Sequence, residues 1–262
     1  DKFVKLSKKI FSFNQYLYKL SLKYKNLKIL DVNGIGNLIG LENFYDSRNY
    51  YISKTPYSQQ CNNHISFELS QIICSIFITR KKCLVLDLDN TLWGGILGED
   101  GPDGVNVSGQ WPGNAYREFQ TFLTNLRASG ILLVLLSKNN ESDVLEGFDK
   151  NARMPLSLSD FSARRIDWND KASNLRSVAQ ELNLALDSFV FMDDSPLEIA
   201  LMQEKLPEVD TIHATGPPSE FQNLVLSKGK FLSPGLTEED RARAASYAAQ
   251  EVRNTQESRS HD

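Results

Sequence analysis

The 262-residue chain is 41% apolar and 24% charged, with three cysteines, a balance that excludes a disordered tail, a collagen-like fibre and a disulfide-stapled miniprotein. No apolar run approaches the ~18 residues needed to cross a bilayer; the longest are stretches such as 131–136, so no membrane span is expected. A net charge of −4 hides +8 over residues 1–82 against −12 over residues 83–262, and an acidic main body without RNP, KH, zinc-finger or basic-zipper patterns argues against nucleic acid.

The basic excess of the first segment reads as a solvated face, with a basic docking patch as the alternative. Cys61, Cys74 and Cys83 form no ligand-spaced doublets, and so sparse and odd a set suits a reducing, cytoplasmic compartment. A start at Asp1 with no Met and no n-region reads as an excised fragment without a signal peptide.

In chain order, residues 28–31 read as a short strand ending in the turn-rich Val-Asn-Gly-Ile-Gly, and the segment to Pro56 reads as irregular and aromatic. From Ser58, a plausible N-cap, Ile65, Leu69, Ile72, Ile73 and Ile76 recur at helical spacing. After the basic break Arg80-Lys-Lys82, an apolar run from Cys83 ends on Asp87 and Asp89, as a buried parallel strand would. Strand-length runs then alternate with helical patterns: helix near 114–129, strand 131–137, helix near 143–148, helix near 171–184, strand 188–192. That alternation predicts a doubly wound α/β fold with a parallel sheet, whose ligands bind at the carboxyl ends of the strands. Thr237-Glu-Glu-Asp240 opens a last helix to about Val252. The expected organisation is a partial N-terminal α/β extension over 1–57, a main domain over 58–235, and a C-terminal helix and tail over 236–262.

Three strand ends are chemically loaded: Asp87 with Asp89, Ser137, and Asp193 with Asp194. Buried like charges need a cation, and clustered carboxylates suit Mg²⁺, a hard ion that keeps waters for substrate phosphate. Ser137 can donate to a phosphoryl oxygen, and Lys171 at a helix start adds positive charge for the same oxygens. Each feature alone has an ordinary structural explanation, a turn-forming Asp or a solvated Lys; their order is what points to chemistry.

Asp87-Leu-Asp-Asn-Thr91, Ser137, Lys171 and Asp193-Asp194 together resemble the four ordered motifs of the haloacid dehalogenase (HAD) superfamily. Longer blocks, Lys82 to Gly95, Gly98-Glu-Asp-Gly101, Arg117-Glu-Phe-Gln120, Ser137-Lys-Asn-Asn-Glu141, Ile166-Asp-Trp-Asn-Asp-Lys171 and Phe191-Met-Asp-Asp-Ser-Pro196, resemble FkbH-type domains of polyketide loading pathways, over residues 48–252. The resemblance implies a HAD-like Rossmannoid core and a nucleophilic Asp87 that forms a phospho-aspartyl enzyme. It implies that Asp89 protonates the leaving oxygen and later activates water. It further implies Mg²⁺ on Asp87, the Asp89 carbonyl oxygen and Asp193 or Asp194, with Thr91, Ser137, Lys171 and backbone amides on the phosphate. FkbH-type domains that load starter units take the glyceryl group of 1,3-bisphosphoglycerate, remove its phosphates and pass it to the phosphopantetheine thiol of an acyl carrier protein.

Acyl transfer from an acyl phosphate calls for a thiol. Cys83 lies four residues upstream of Asp87 on one strand, about 13 Å away at ~3.3 Å per residue, and reads as core; Cys74, late in the preceding helix, reads as packing. Cys61 sits at N3 of that helix, where the macrodipole favours a thiolate, and His64 lies on the same face to deprotonate it. A helix feeding a strand usually runs antiparallel to it, which would bring Cys61 back to the catalytic edge. The alternative is an N-terminal helix cysteine with an incidental surface histidine, and His213 reads as a surface residue.

Asn139 with Asn140, or Arg164 with Arg165, can grip a distal phosphate or the glyceryl hydroxyls, an Arg fork being the better phosphate ligand; otherwise they are solvated loop residues. Seven glycines and two prolines between Gly94 and Gly113 suit a mobile flap, bracketed by Trp93 and Trp111. Two rival functions stand beside glyceryl transfer: a plain Mg²⁺-dependent phosphatase, which needs no Cys61, and a non-catalytic carrier-protein docking module, against which the intact Asp87, Asp89, Lys171 and Asp194 argue.

Overall fold

The computed structural model describes residues 2–24, 26–77, 80–151, 154–227 and 230–231. The chain divides into two compact units, Asp1–Thr79 and Arg80–Phe231. The helix from Ser58, grouped by sequence with the main domain, therefore clusters with the N-terminal segment. The expected helix from Thr237 lies outside the described residues.

The first unit is helical: α1 (Lys2–Lys23), α2 (Val32–Ile39), α3 (Ser47–Ser53) and α4 (Gln59–Phe77). The expected strand over 28–31 does not form. Asp31 instead caps α2, its carboxylate accepting from the Gly34 N–H at 2.9 Å, and the capped turn carries Val-Asn-Gly-Ile-Gly into the helix. Ile35, Ile39 and Phe44 bury a small cluster with Cys61, against which Ile65 packs. The rest of the expected apolar stripe of α4 is less covered: Leu69, Ile73 and Ile76 are exposed.

The second unit alternates β1 (Cys83–Leu86), α5 (Leu97–Asp100), α6 (Gly113–Ala128), β2 (Leu132–Ser137), α7 (Glu141–Lys150), β3 (Ala163–Ile166), α8 (Lys171–Glu181), β4 (Phe189–Asp193), α9 (Pro196–Lys205), β5 (Asp210–His213) and α10 (Phe221–Ser227). Its five strands form one sheet in the order β3-β2-β1-β4-β5, and every pair is parallel. The α/β doubly wound expectation therefore holds. Alternate residues feed two cores. Leu84, Leu86, Leu133 and Leu135 pack with Phe119 and Leu123 of α6 and Phe221 of α10. Val85, Val134, Phe189 and Phe191 face the other way, onto Leu175 and Val178 of α8 and Met202 of α9. The chain runs outward from β1 through β2 to β3, then returns to the other side of β1 for β4 and β5. The order thus reverses between β1 and β4, the crevice where open α/β sheets bind ligands.

The glycine-rich segment after β1 is anchored rather than loose. Gly94 and Asn106 exchange backbone hydrogen bonds at 3.1 and 2.7 Å, and Trp93, Leu97, Val105 and Val107 are buried in the first core. Trp111, expected to help close a flap, is exposed. Among the described residues no helix is long and apolar enough to cross a membrane.

Candidate active site

Asp87 follows β1 directly, its N–H donating to the Met192 carbonyl of β4 at 3.1 Å. Because Leu86 pairs with Met192 in the β1–β4 register, Asp87 and Asp193 fall on neighbouring rungs of the two central strands. Lys171, the first residue of α8, reaches both: Nζ lies 2.8 Å from Asp87 Oδ1 and 2.7 Å from Asp193 Oδ2. It is held there because Asp170 caps α8, accepting from the Ser173 N–H at 3.0 Å. All three side chains are buried.

Carboxylate oxygens of Asp87, Asp193 and Asp194 all lie within 4.8 Å of one another. Three carboxylates against one ammonium leave two uncompensated negative charges, and all the donors are hard oxygens, which fits a divalent cation such as Mg²⁺. The electrostatics show the imbalance. Burial pushes the Asp87 carboxyl up to about 7, against the downward pull of Lys171 and with Asp193 adding to the rise. Burial opposes the charge of Lys171, yet Asp87 and Asp193 together hold its ammonium above the usual lysine range. Asp194 is also raised, by burial and by Asp193, while a hydrogen bond from Asn90 pulls it down. Both oxygens of Asp193 are engaged, Oδ2 by Lys171 and Oδ1 by the Ser195 N–H at 2.9 Å.

Beyond Asp87 the chain must turn sharply. Asn90 adopts φ +50°, a left-handed conformation that asparagine tolerates better than most residues. Its side-chain oxygen accepts from the Gly95 N–H at 3.1 Å. Gly95 has φ +97°, and a Cβ there would meet Asp100 Oδ2 at 2.8 Å, so only glycine closes this turn without strain. The turn buries Thr91, whose Oγ1 has no hydrogen-bond partner among the described residues. A buried hydroxyl left free beside a carboxylate cluster is suited to a ligand oxygen.

Asp89 is held by a different set of partners from the Lys171 bridge. Its Oδ1 accepts from Trp93 Nε1 at 2.9 Å and from the Leu97 N–H at 3.1 Å, and its Oδ2 accepts from Asn139 Nδ2 at 3.0 Å. The Asn139 amide also donates to Ser137 Oγ at 3.0 Å. Asp87, Asp89, Thr91, Ser137, Asn139, Lys171, Asp193 and Asp194 thus gather around the carboxyl ends of β1, β2 and β4.

Arg165 does not join them. Its guanidinium donates to Glu181 Oε2 at 2.6 Å and Ser177 Oγ at 3.0 Å, so it braces the later turns of α8. The reason is that residues 163–166 form β3, a strand hidden in sequence, and strand geometry commits the Arg165 side chain to the neighbouring helix. Arg164 donates to the Leu158 carbonyl at 3.4 Å. Asn140 accepts from Trp168 Nε1 at 3.1 Å.

Cys61 and His64 belong to the first unit. Ser58 does cap α4, its Oγ accepting from the Cys61 N–H at 3.0 Å, which puts Cys61 at N3. The thiol, however, is fully buried, and burial pushes its pKa up. The lowering expected from the helix macrodipole is overridden because the apolar cluster around Cys61 disfavours the thiolate. Cys83 is a buried residue of the second core, and its thiol is pushed well up by burial.

Two neighbours of Asp194 escaped sequence reasoning. His213 is exposed, as expected from the sequence, and its Nε2 hydrogen-bonds the Asp194 carbonyl at 2.9 Å; the signal for that contact lay in β5, whose Asp-Thr-Ile-His is too polar to stand out as a strand. Tyr116 of α6 is raised by burial and by the Asp194 charge.

No protein-family model and no curated protein matches the chain. Among solved structures, it is similar to the N-terminal part of the protein BF1531 from Bacteroides fragilis, which contains a phosphatase domain and was crystallised with Mg. The identity is 34% and the TM-score 0.74, over 86% of this chain and 60% of that one; this chain therefore spans only about three-fifths of that structure. Two more distant likenesses are the Moraxella catarrhalis 3-deoxy-D-manno-octulosonate 8-phosphate phosphatase (16% identity, TM-score 0.36, 58% of this chain and 89% of that one) and a Legionella pneumophila structure assigned to HAD subfamily III A hydrolases (15%, 0.38, 72% and 99%). Neither is close enough to support a functional conclusion. The all-parallel five-stranded sheet, with its carboxylates at the reversal of strand order, is consistent with a HAD-type Rossmannoid core.

Proposed function

We propose that the chain is a Mg²⁺-dependent phosphatase of the HAD type, working through a phospho-aspartyl intermediate on Asp87. The observation that carries this reading is the Lys171 ammonium bridging Asp87 and Asp193, with Asp194 beside them. Asp87 attacks phosphorus in line, the bond to the leaving oxygen breaks, and Asp89 gives that oxygen a proton. Asp89 then takes a proton from water, which attacks the phospho-aspartate and releases phosphate. Ser137, Lys171 and the free hydroxyl of Thr91 receive the phosphoryl oxygens. Mg²⁺, held by Asp87, Asp194, Asp193 and the Asp89 carbonyl, would neutralise phosphoryl charge. Asp194 is the freer of the paired carboxylates, because both Asp193 oxygens already accept hydrogen bonds. The test is Mg²⁺-dependent release of phosphate from p-nitrophenyl phosphate. Asp87→Asn should abolish it while leaving the fold intact, and unchanged release by that variant would overturn the assignment.

The finer reading, that the substrate is 1,3-bisphosphoglycerate and the glyceryl group passes through a cysteine thioester to an acyl carrier protein, draws on the long FkbH-like blocks of the sequence. Burial of Cys61 means that such loading would require the thiol to become accessible. Intact-protein mass spectrometry after mixing with 1,3-bisphosphoglycerate and Mg²⁺ tests it: a glyceryl adduct lost in Cys61→Ala supports the transferase, and no adduct leaves the plain phosphatase.

A further inference from the structure

Asn139 stands just past β2, only 4% exposed, and the sequence pattern would have it gripping substrate. Its bonds say otherwise. A carboxylate can only accept, so the side facing Asp89 must be the amide NH₂, which has two hydrogens to give. Both are committed within the protein, to Asp89 Oδ2 and Ser137 Oγ, each at 3.0 Å. A serine hydroxyl that accepts one hydrogen bond still has its own proton to donate, so this contact leaves the Ser137 O–H free for a phosphoryl oxygen. On its far side Asp89 is fixed by Trp93 Nε1 and the Leu97 N–H; Asn139 supplies the remaining constraint.

We infer that Asn139 is a positioning residue, coupling the acid/base carboxylate of Asp89 to the Ser137 hydroxyl that donates a hydrogen bond to the phosphoryl group, rather than contacting substrate. This rests on the phosphatase reading above. A shared amide keeps the two groups at a fixed separation, so the leaving oxygen and the phosphoryl oxygens are met in one geometry, and loosening it costs positioning rather than binding.

The experiment uses the full chain, p-nitrophenyl phosphate and Mg²⁺. Asn139→Ala should lower kcat roughly 10- to 100-fold with KM changed less than about threefold, the signature of a group that acts after binding. In thermal melts, the Tm losses of Asn139→Ala and Asp89→Ala should combine to less than their sum, because the contact they share can be lost only once. If the alanine protein does not fold, Asn139→Ser, too short to reach Asp89, carries the same measurements. A raised KM at unchanged kcat, or additive Tm losses, would overturn the positioning role alone. Absence of Mg²⁺-dependent hydrolysis by the unmodified protein would overturn the phosphatase reading and this inference with it.

Discussion

Removing the Lys171 ammonium would leave Asp87 and Asp193 buried against each other with no cation between them, and deleting one partner of a buried pair costs about 3–5 kcal/mol. Lys171→Met should therefore lower the melting temperature sharply in metal-free buffer, and added Mg²⁺ should recover part of the loss. The raised Asp87 gives a second signature. Its folded-state carboxyl sits at about 7, above the ordinary 3.8 of the unfolded chain, so between these values the folded state holds a proton that the unfolded state has released. Stability of the metal-free protein consequently falls as pH rises through that window and stays reduced above it. Mg²⁺ should raise Tm more at pH 8 than at pH 5, and Asp87→Asn should remove most of that difference; an equal shift at both pH values would contradict it. Asp89→Asn should slow turnover by ~10²–10⁴-fold, as loss of general acid/base catalysis does.

Among the elements, the turn after β1 does the most to place Asp89. Trp93 is fully buried, packs edge-on to Phe148 with ring centroids 5.5 Å apart, and donates to Asp89. Trp93→Phe keeps most of the volume and deletes the donor, so it should cost about 1–2 kcal/mol in denaturant melts and lower kcat several-fold more than KM changes. β1 with Asp87 and Asp89 was legible because a central parallel strand must be apolar on both faces, and its carboxylates interrupt that run. β2 and β4 were legible for the same reason. Edge strands β3 and β5 read Ala-Arg-Arg-Ile and Asp-Thr-Ile-His, and with a neighbour on one side only they carry charge that hides them. That concealment is why Arg165 was expected at the mouth and His213 was not expected near Asp194. In α2 the Asp31 cap outweighed two glycines that suggest a turn.

At the scale of the molecule, both hydrophobic cores and every carboxylate of the cluster lie in the second unit. Residues 80–231 expressed alone should melt cooperatively and show the same Mg²⁺-dependent rise in Tm as the full chain; a non-cooperative melt would show that the first unit is needed for folding. The motif residues were readable across this unit because their strand-end placement follows from the parallel topology. Cys61 was misjudged electrostatically because local position predicts a macrodipole and says nothing of the apolar cluster that closes over the thiol.

The pairing of Leu86 with Met192 makes the carboxylate cluster a gauge of strand alignment. Sliding β4 by one residue against β1 would turn its side chains to the opposite face of the sheet, replacing Asp193 with Met192 or Asp194 on that rung and taking the Asp193 carboxylate away from the place where Lys171 now finds its second oxygen. A collapsed intermediate with helices formed and strands misaligned would have no place to hold the ion. Metal capture therefore certifies that the central strands have locked, and Mg²⁺ uptake followed during refolding should appear with the last cooperative phase rather than with early compaction.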